Sequence, residues 1–279
     1  MLSINTNVSS LQAQESLQTS TNNANNTLEQ LATGLRINSA ADDPAGLYIA
    51  NGLSTQVSGT AQAEQNVAEG TNALQIADGA LGVIQNNLQQ IVSLTVEAAN
   101  DDNSTADRTA ISDEITALAN EINQISKSTT FNGASLLGSS VAAHYYIQLG
   151  ANSTQSTNTL DIGAALGGGG TAKLGLGSIN VTTNSLARAF LQRVDTAINN
   201  VSTQRATLGA DQNRLTAALA NLQSLNQNYT AARSTIQDTD IATATSALTQ
   251  EQIIQQSAAT VLAQANATPD IALKLIQGA

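Results

Sequence analysis

The adjacent aspartates Asp42-Asp43 and Asp101-Asp102, and one histidine, His144, are side chains on which chemistry could be built in this chain. Neighbouring acids can share a proton or hold a divalent cation. Their surroundings point elsewhere. Asp42-Asp43 follows Asn38-Ser39-Ala40-Ala41 and precedes Pro44, while Asp101-Asp102 lies between Asn100 and Asn103-Ser104. Carboxylates in turns rich in Asn and Ser cap helices and face solvent. His144 is the only histidine and cysteine is absent, so no Cys/His pair can form. Nothing resembles a nucleophile elbow that would offer it a serine. His144 therefore reads as a surface residue of a loop or strand. No catalytic, cofactor-binding or metal-binding residue is expected.

Composition narrows the remaining classes. Ten Lys and Arg stand against 21 Asp and Glu, a net charge of -11, which leaves no basic stripe to neutralise phosphates and argues against nucleic-acid binding. Four Tyr, two Phe and no Trp mean that burial must come from Leu, Ile, Val and Ala in narrow seams, a supply that suits elongated helical bundles. No apolar run approaches the roughly 18 residues of a membrane-spanning helix, so no membrane partner is expected. The start, Met1-Leu2-Ser3-Ile4-Asn5, lacks the basic and apolar regions of a secretory signal. An extracellular form would need another export machine.

The elements that would position any site are helices with three textures. Residues 1 to 35 carry only Glu15 and Glu29 as charges, and residues 241 to 279 only Glu251, Asp270 and Lys274. Ile4, Val8 and Leu11, then Leu28, Leu31 and Leu35, recur at helical spacing. The faces opposite are Asn, Gln, Ser and Thr, which can be buried against a neighbour, whereas an unpaired charge there costs several kcal/mol. Both ends thus read as helices made for an interface between many copies.

Between them lie heptads. Val67, Leu74, Ala77, Leu81, Ile84, Leu88 and Ile91 form a coiled-coil seam. Ile111, Ile115, Leu118, Ile122 and Ile125 form a second, and a third runs from Leu191 through Val201, Leu208, Leu215 and Leu222 to Tyr229. Arg205, Gln212 and Asn226 interrupt the third at core positions, a pattern that fixes register at some loss of stability. A helix over 187 to 236 would reach roughly 75 Å. His144 to Gly150 alternates as a strand, with Asn158 to Ile162 as its hairpin partner. The Gly- and Thr-rich stretch from Gly167 to Asn184 reads as exposed loop.

Four blocks, which open MLSINTN, LATGLRINS, FNGASLL and QDTDIATATSAL, together resemble bacterial flagellin, the subunit of the flagellar filament. MLSINTN and LATGLRINSAADDPAGLYIA (31 to 50) are similar to its N-terminal blocks, and QDTDIATATSALTQEQIIQQSAATVLAQAN (237 to 266) to its C-terminal helix. FNGASLL (131 to 137) resembles the turn after the second long helix of that family. The resemblance covers nearly everything except about 45 central residues, where the large outer domains of longer members are missing.

What the resemblance implies is a mainly α chain: an elongated antiparallel coiled-coil rod with a small β-hairpin, its terminal helices paired. Residues 1–42 and 237–279 would be the two halves of an inner coiled-coil domain. Residues 43–180 and 181–236 would form the outer rod. The implied function is a subunit that polymerises into the filament and serves swimming, extracellular and exported without a cleaved signal peptide. Its partners would be further copies of itself, the flagellar export apparatus, an export chaperone that binds the C-terminal helices, and the filament cap and hook-associated proteins. A hook-filament junction protein resembles flagellin at both ends and stays open as an alternative, as does a non-flagellar coiled-coil scaffold on the heptads alone.

Candidate self-assembly residues are Leu28, Leu31, Leu35, Arg36, Asp42, Asp43, Ile241, Leu248, Ile254 and Val261. Arg36 and Arg233 are expected either to pair with Asp42, Asp43 or Asp238 or to be solvated helix-end charges. Many flagellins are sensed by Toll-like receptor 5, and the matching surface here would be Leu88, Gln89, Gln90 and Leu94, with Glu114 on the next helix. Gln90 stands where strongly sensed members carry an arginine, so weak or absent sensing is expected. Ser153, Thr154, Ser156 and Thr157 are candidate O-glycosylation sites.

Overall fold

The computed structural model describes residues 6–138, 144–151 and 158–277, and side chains as far as 267. The chain divides into two compact units, Met1–Thr55 with Asn228–Ala279, and Gln56–Gln227. The expected boundaries lie at the turns near Asp42 and Asp238. These divisions instead fall inside two long helices, α2 (Pro44–Ala98) and α5 (Asn184–Gln237).

In the second unit the heptads become a core. Leu74, Leu81, Ile84, Leu88 and Ile91 of α2 are fully buried. They pack with Ile115 and Ile122 of α3 (Thr105–Ser128) and with Phe190, Val194, Val201, Leu208 and Leu215 of α5. Arg205 reaches from α5 to Asp78 Oδ1 and Gln85 Oε1 on α2, each at 2.8 Å, one heptad apart. The Asn100–Ser104 turn ends α2 as expected. Ser104 and Asp107 form a reciprocal capping box at the start of α3, which satisfies two orphan N–H groups and holds the Asp107 carboxyl below its ordinary pKa. Arg108 donates to the Ala98 and Asn100 carbonyls at 3.0 and 2.8 Å, and Asn184 donates to Ala99 and Asp101, so the last turn of α2 is tied by two other helices.

Two antiparallel hairpins follow α3. β1 (Thr130–Phe131) pairs with β2 (Ala134–Ser135) across Asn132-Gly133, whose φ values of 49° and 79° are the positive pair that a two-residue hairpin loop requires. β3 (Tyr146–Gln148) pairs with β4 (Thr159–Asp161), the hairpin expected from the alternation. It lies on α2. Asn66 Nδ2 donates to the Gln148 carbonyl at 3.1 Å, and a Cβ on Gly59 would fall 2.3 Å from that of Ala151.

The expected exposed loop from Gly167 to Asn184 is corrected. Preceded by a 3-10 turn (Gly163–Ala165) and containing a short helix, α4 (Thr171–Leu174), it buries Leu174, Leu176 and Val181, while Leu166 just before it is also buried. The Leu136 and Leu137 carbonyls accept from Gly167 and Gly169, stitching this stretch into the core. Isolated apolar residues among glycines carry no helical or strand period, so the pattern hides their burial.

Candidate assembly surface

In the first unit, α1 (Val8–Thr33) and α6 (Ile241–Gln277) pair antiparallel. Asn7 caps α1 by accepting from Ser10 N at 3.0 Å and donates to the Ala265 carbonyl at 2.7 Å, so the start of α1 meets the far part of α6. Ser20 Oγ donates to Glu251 Oε2 at 2.7 Å, and Asn23 Nδ2 donates to Glu251 Oε1 at 3.2 Å. Beyond α1, Gly34 takes the left-handed C-cap conformation at φ 73°. Leu35 then bridges to Asp238, Arg36 N donates to the Gln237 carbonyl at 2.6 Å, and Thr239 N donates to Gly34 at 2.9 Å.

The contact between the two helices mixes Ala, Ser and other polar residues with four leucines, in strict heptads. On α1 the inward positions are Ser10, Ala13, Leu17, Ser20, Ala24, Thr27 and Leu31; on α6 they are Ala244, Leu248, Glu251, Gln255, Ala258, Leu262 and Ala265. Other large apolar side chains point away. Val8 is 65% exposed, Leu11 57%, Leu28 49%, Ile241 51%, Ile253 58% and Val261 57%. An open groove of about 430 Å³ beside the seam is lined by Gln12, Ala13, Ser16, Ile254, Ala258 and Val261, among others. Ala and Ser hold positions 10, 13, 20 and 24 of this heptad in the sequence, with Leu at 17, but a reading weighted to Leu, Ile and Val follows the outward stripe instead.

The named assembly candidates therefore divide. Leu28, Ile241, Ile254 and Val261 are exposed on the outward faces, whereas Leu31 and Leu248 are half-buried in the intramolecular seam, and Leu35 is half-buried in the bridge to Asp238. Arg36 Nη2 donates to the Ile236 carbonyl at 2.5 Å, and among the described residues neither Arg36 nor Arg233 makes an ion pair within the chain.

The two carboxylates of the turn are used locally. Asp42 Oδ2 accepts from Asn38 N and Ser39 N at 3.0 and 2.8 Å, bonds that lower its pKa, the Ser39 backbone bond most. Asp43 caps α2 by accepting from Gly46 N at 2.8 Å, with Pro44 in the first helical position, where its missing N–H costs nothing. Any Cβ at Gly46 would fall 2.3 Å from Asp43 Oδ2 and 2.7 Å from Ile37 Cδ1, so the cap requires glycine.

Elsewhere, Leu88 is fully buried in the heptad core, which corrects its place on a receptor-facing surface; Gln89, Gln90 and Glu114 are exposed and Leu94 is half-buried. His144 is exposed on the β3–β4 hairpin, stacked on Tyr146, with Nδ1 2.5 Å from Asp161 Oδ2. That contact, with smaller contributions from the Gly163 and Tyr145 N–H groups, holds the Asp161 carboxyl below the usual range. Ser153, Thr154, Ser156 and Thr157 lie outside the described residues. No helix among the described residues is long and apolar enough to cross a membrane.

The bacterial flagellin N-terminal helical region matches residues 4–142, and the C-terminal helical region matches residues 191–276. Flagellin of Bacillus subtilis is 37% identical, covering 98% of this chain and 99% of the relative. Flagellin C of Vibrio cholerae is 31% identical over 99% of both. The crystal structure of Bacillus cereus flagellin aligns with a TM-score of 0.49 at 31% identity, covering 61% of this chain and 94% of that one. With both terminal regions matched and relatives aligned over nearly its whole length, the chain belongs to the bacterial flagellin family.

Proposed function

We propose that this filament subunit polymerises through the outward apolar faces of α1 and α6, with further copies of itself covering Val8, Leu11, Leu28, Ile241, Ile254 and Val261. One observation carries the reading: the buried positions of the pair are all Ala or Ser, while Val8, Leu11, Ile253 and Val261 are left more than half exposed. Burying each such side chain contributes about 1.5 to 3 kcal/mol, and the gain recurs at every copy. The seam residues Leu31 and Leu248 act one step earlier, by holding the two helices together. The groove along Ile254 and Val261 gives a knob from a neighbouring helix a place to insert.

The experiment is polymerisation of purified chain carrying Ile254→Asp and Val261→Asp. These positions lie outside the α1–α6 seam, so the fold is expected to survive while filament growth stops; the check is electron microscopy beside far-UV circular dichroism. Filaments of ordinary length would remove this surface from the assembly.

Family membership supports the rest of the reading. The chain leaves the cell through the flagellar export apparatus without cleavage, and a chaperone covers the apolar face of α6 beforehand. It meets the cap and hook-associated proteins at the filament ends, and it has a structural role with no enzymatic activity. Sensing by Toll-like receptor 5 is weak or absent, because exposed Gln90 lacks the charge and the five donors of an arginine. Gln90→Arg is expected to raise the response of a receptor reporter to monomer by roughly 30-fold, the equivalent of about 2 kcal/mol at an interface centre. Strong activation by the unaltered chain overturns that reading.

A further inference from the structure

The chain contains two Asn-Gly pairs of the same local chemistry in opposite surroundings. Asn51-Gly52 lies inside α2, where the Gly52 N–H belongs to the helical ladder and its nitrogen is held along the helix axis. Asn132-Gly133 forms the exposed two-residue loop between β1 and β2. Among the described residues the Gly133 N–H donates to no carbonyl, and a Cβ built on Gly133 meets nothing within 4 Å. Asn132 is also the only non-glycine residue with positive φ among the described residues, at 49°. A flexible glycine after the asparagine, a free nitrogen and an unhindered approach are what attack on the side-chain amide needs.

We propose that Asn132 is a site of spontaneous deamidation in the folded protein and that Asn51 is protected from it. The Gly133 nitrogen, on losing its proton, attacks Asn132 Cγ. The new N–Cγ bond closes a five-membered imide as the Cγ–Nδ2 bond breaks, and Nδ2 leaves as ammonia. Water then opens the ring at either carbonyl, giving aspartate or isoaspartate. The net change is one water consumed and one ammonia released, with no oxidant or reductant.

The two products have different consequences. Aspartate tolerates the same turn and adds only a negative charge. Isoaspartate routes the backbone through Cβ and adds an atom to a loop of two residues, which breaks the Thr130–Ser135 and Phe131–Ala134 register. The next residues are Leu136 and Leu137, fully buried and bonded to Gly167 and Gly169. Damage at an exposed turn is thereby transmitted into the core.

The test is a time course on the full chain in mildly alkaline buffer, once folded and once in denaturant, with peptide mapping that separates asparagine, aspartate and isoaspartate. In denaturant the two pairs are expected to react at similar rates. In the folded chain Asn51 is expected to be at least about tenfold slower than Asn132, the suppression produced by a local opening cost of about 1.4 kcal/mol. Folded-state rates that are equal, or an Asn132 slowed as much as Asn51 relative to denaturant, would overturn the assignment. The deamidated chain, separated from intact chain by charge and its isoaspartate fraction measured by peptide mapping, is expected to unfold at lower temperature than chain carrying Asn132→Asp, in proportion to that fraction. Equal midpoints would overturn the proposed route into the core.

Discussion

In the unit formed by Gln56–Gln227, Leu74, Leu81, Ile84, Leu88 and Ile91 all turn inward and are fully buried; in the other, Ala13, Ala24, Ala244, Ala258 and Ala265 turn inward while Val8, Leu11, Ile253 and Val261 turn out. The same seven-residue repeat thus serves two ends. A buried Leu or Ile contributes about 1.5 to 3 kcal/mol, while a buried alanine methyl contributes closer to 0.8 kcal/mol, roughly one buried CH₂. Ordering the backbone costs about 1 to 2 kcal/mol per residue. Per buried position the Leu and Ile of the first seam therefore offset about two to four times more of that cost than an alanine of the second does. What the difference teaches is that a chain can leave large apolar side chains available on one unit by placing small residues at the most buried positions where its own helices meet, which is what the proposed assembly surface needs.

Removal of residues 241–279 breaks the comparison most severely. Filament growth is expected to be lost completely, while the helices of the larger unit keep their circular dichroism signal. Amide exchange on the intact monomer sharpens the same point: amides around Leu81 and Ile84 are expected to exchange slowly, and those of α1 and α6 quickly. Strong protection of both terminal helices before assembly would show that the Ala/Ser seam suffices by itself.

Single substitutions probe each seam at smaller scale. Leu81→Ala leaves a cavity in a fully buried position and is expected to cost about 2 to 5 kcal/mol in urea unfolding of the monomer. Ala258→Leu instead overfills a contact where the helices approach closely, an effect of about 1 to 3 kcal/mol. It is expected to appear as a raised critical concentration for polymerisation with little change in monomer unfolding. If Ala258→Leu lowers monomer stability as much as Leu81→Ala does, the two seams are energetically alike.

The smallest effect concerns acid. Asp240 caps α6 by accepting from Thr243 Oγ1 at 2.9 Å and from the Thr243 and Ala242 N–H groups, bonds that lower its pKa from 3.8, the Thr243 side chain most. A carboxyl depressed by folding stabilises the folded form above its unfolded pKa, and the contribution is lost as pH falls through the folded value. The protection factors of the Ala242 and Thr243 amides, corrected for the intrinsic pH dependence of exchange, are therefore expected to keep the full contribution of the cap from neutral pH down to about 4 and to fall below 3.8. Asp240→Asn, which caps without titrating, is expected to abolish that acid step.

The heptads from Val67 to Ile91 and the β3–β4 hairpin are legible in the sequence because a long or alternating run of large apolar residues fits one period and fails the other. The N-terminal family block is legible for a different reason, since its turn residues Asp43, Pro44 and Gly46 each meet a specific backbone need. The α1–α6 seam is not, because alanine and serine carry too little hydropathy to reveal a face. The family resemblance puts Leu88 on a receptor surface although its own heptad position assigns it to the core, an inconsistency visible without coordinates. Leu174, Leu176 and Val181 are hidden by glycine neighbours, and their burial depends on long-range partners on other elements.

Gly59 and Gly70, three helical turns apart on α2, face the hairpin: a Cβ on the first would strike Ala151, and one on the second would come within 2.9 Å of Ile147 Cδ1. Each glycine weakens an isolated helix by about 1 kcal/mol relative to alanine. Between them, α2 is therefore a soft stretch while the chain beyond it is still missing, and it becomes firm only when the hairpin closes over the bare backbone. During folding, completion of this helix waits on residues some 80 positions downstream, as in the Asn66–Gln148 bond, whose partners are 82 apart. Contacts of that sequence separation form late, so the middle of α2 is expected to be among the last stretches of the larger unit to gain exchange protection during refolding.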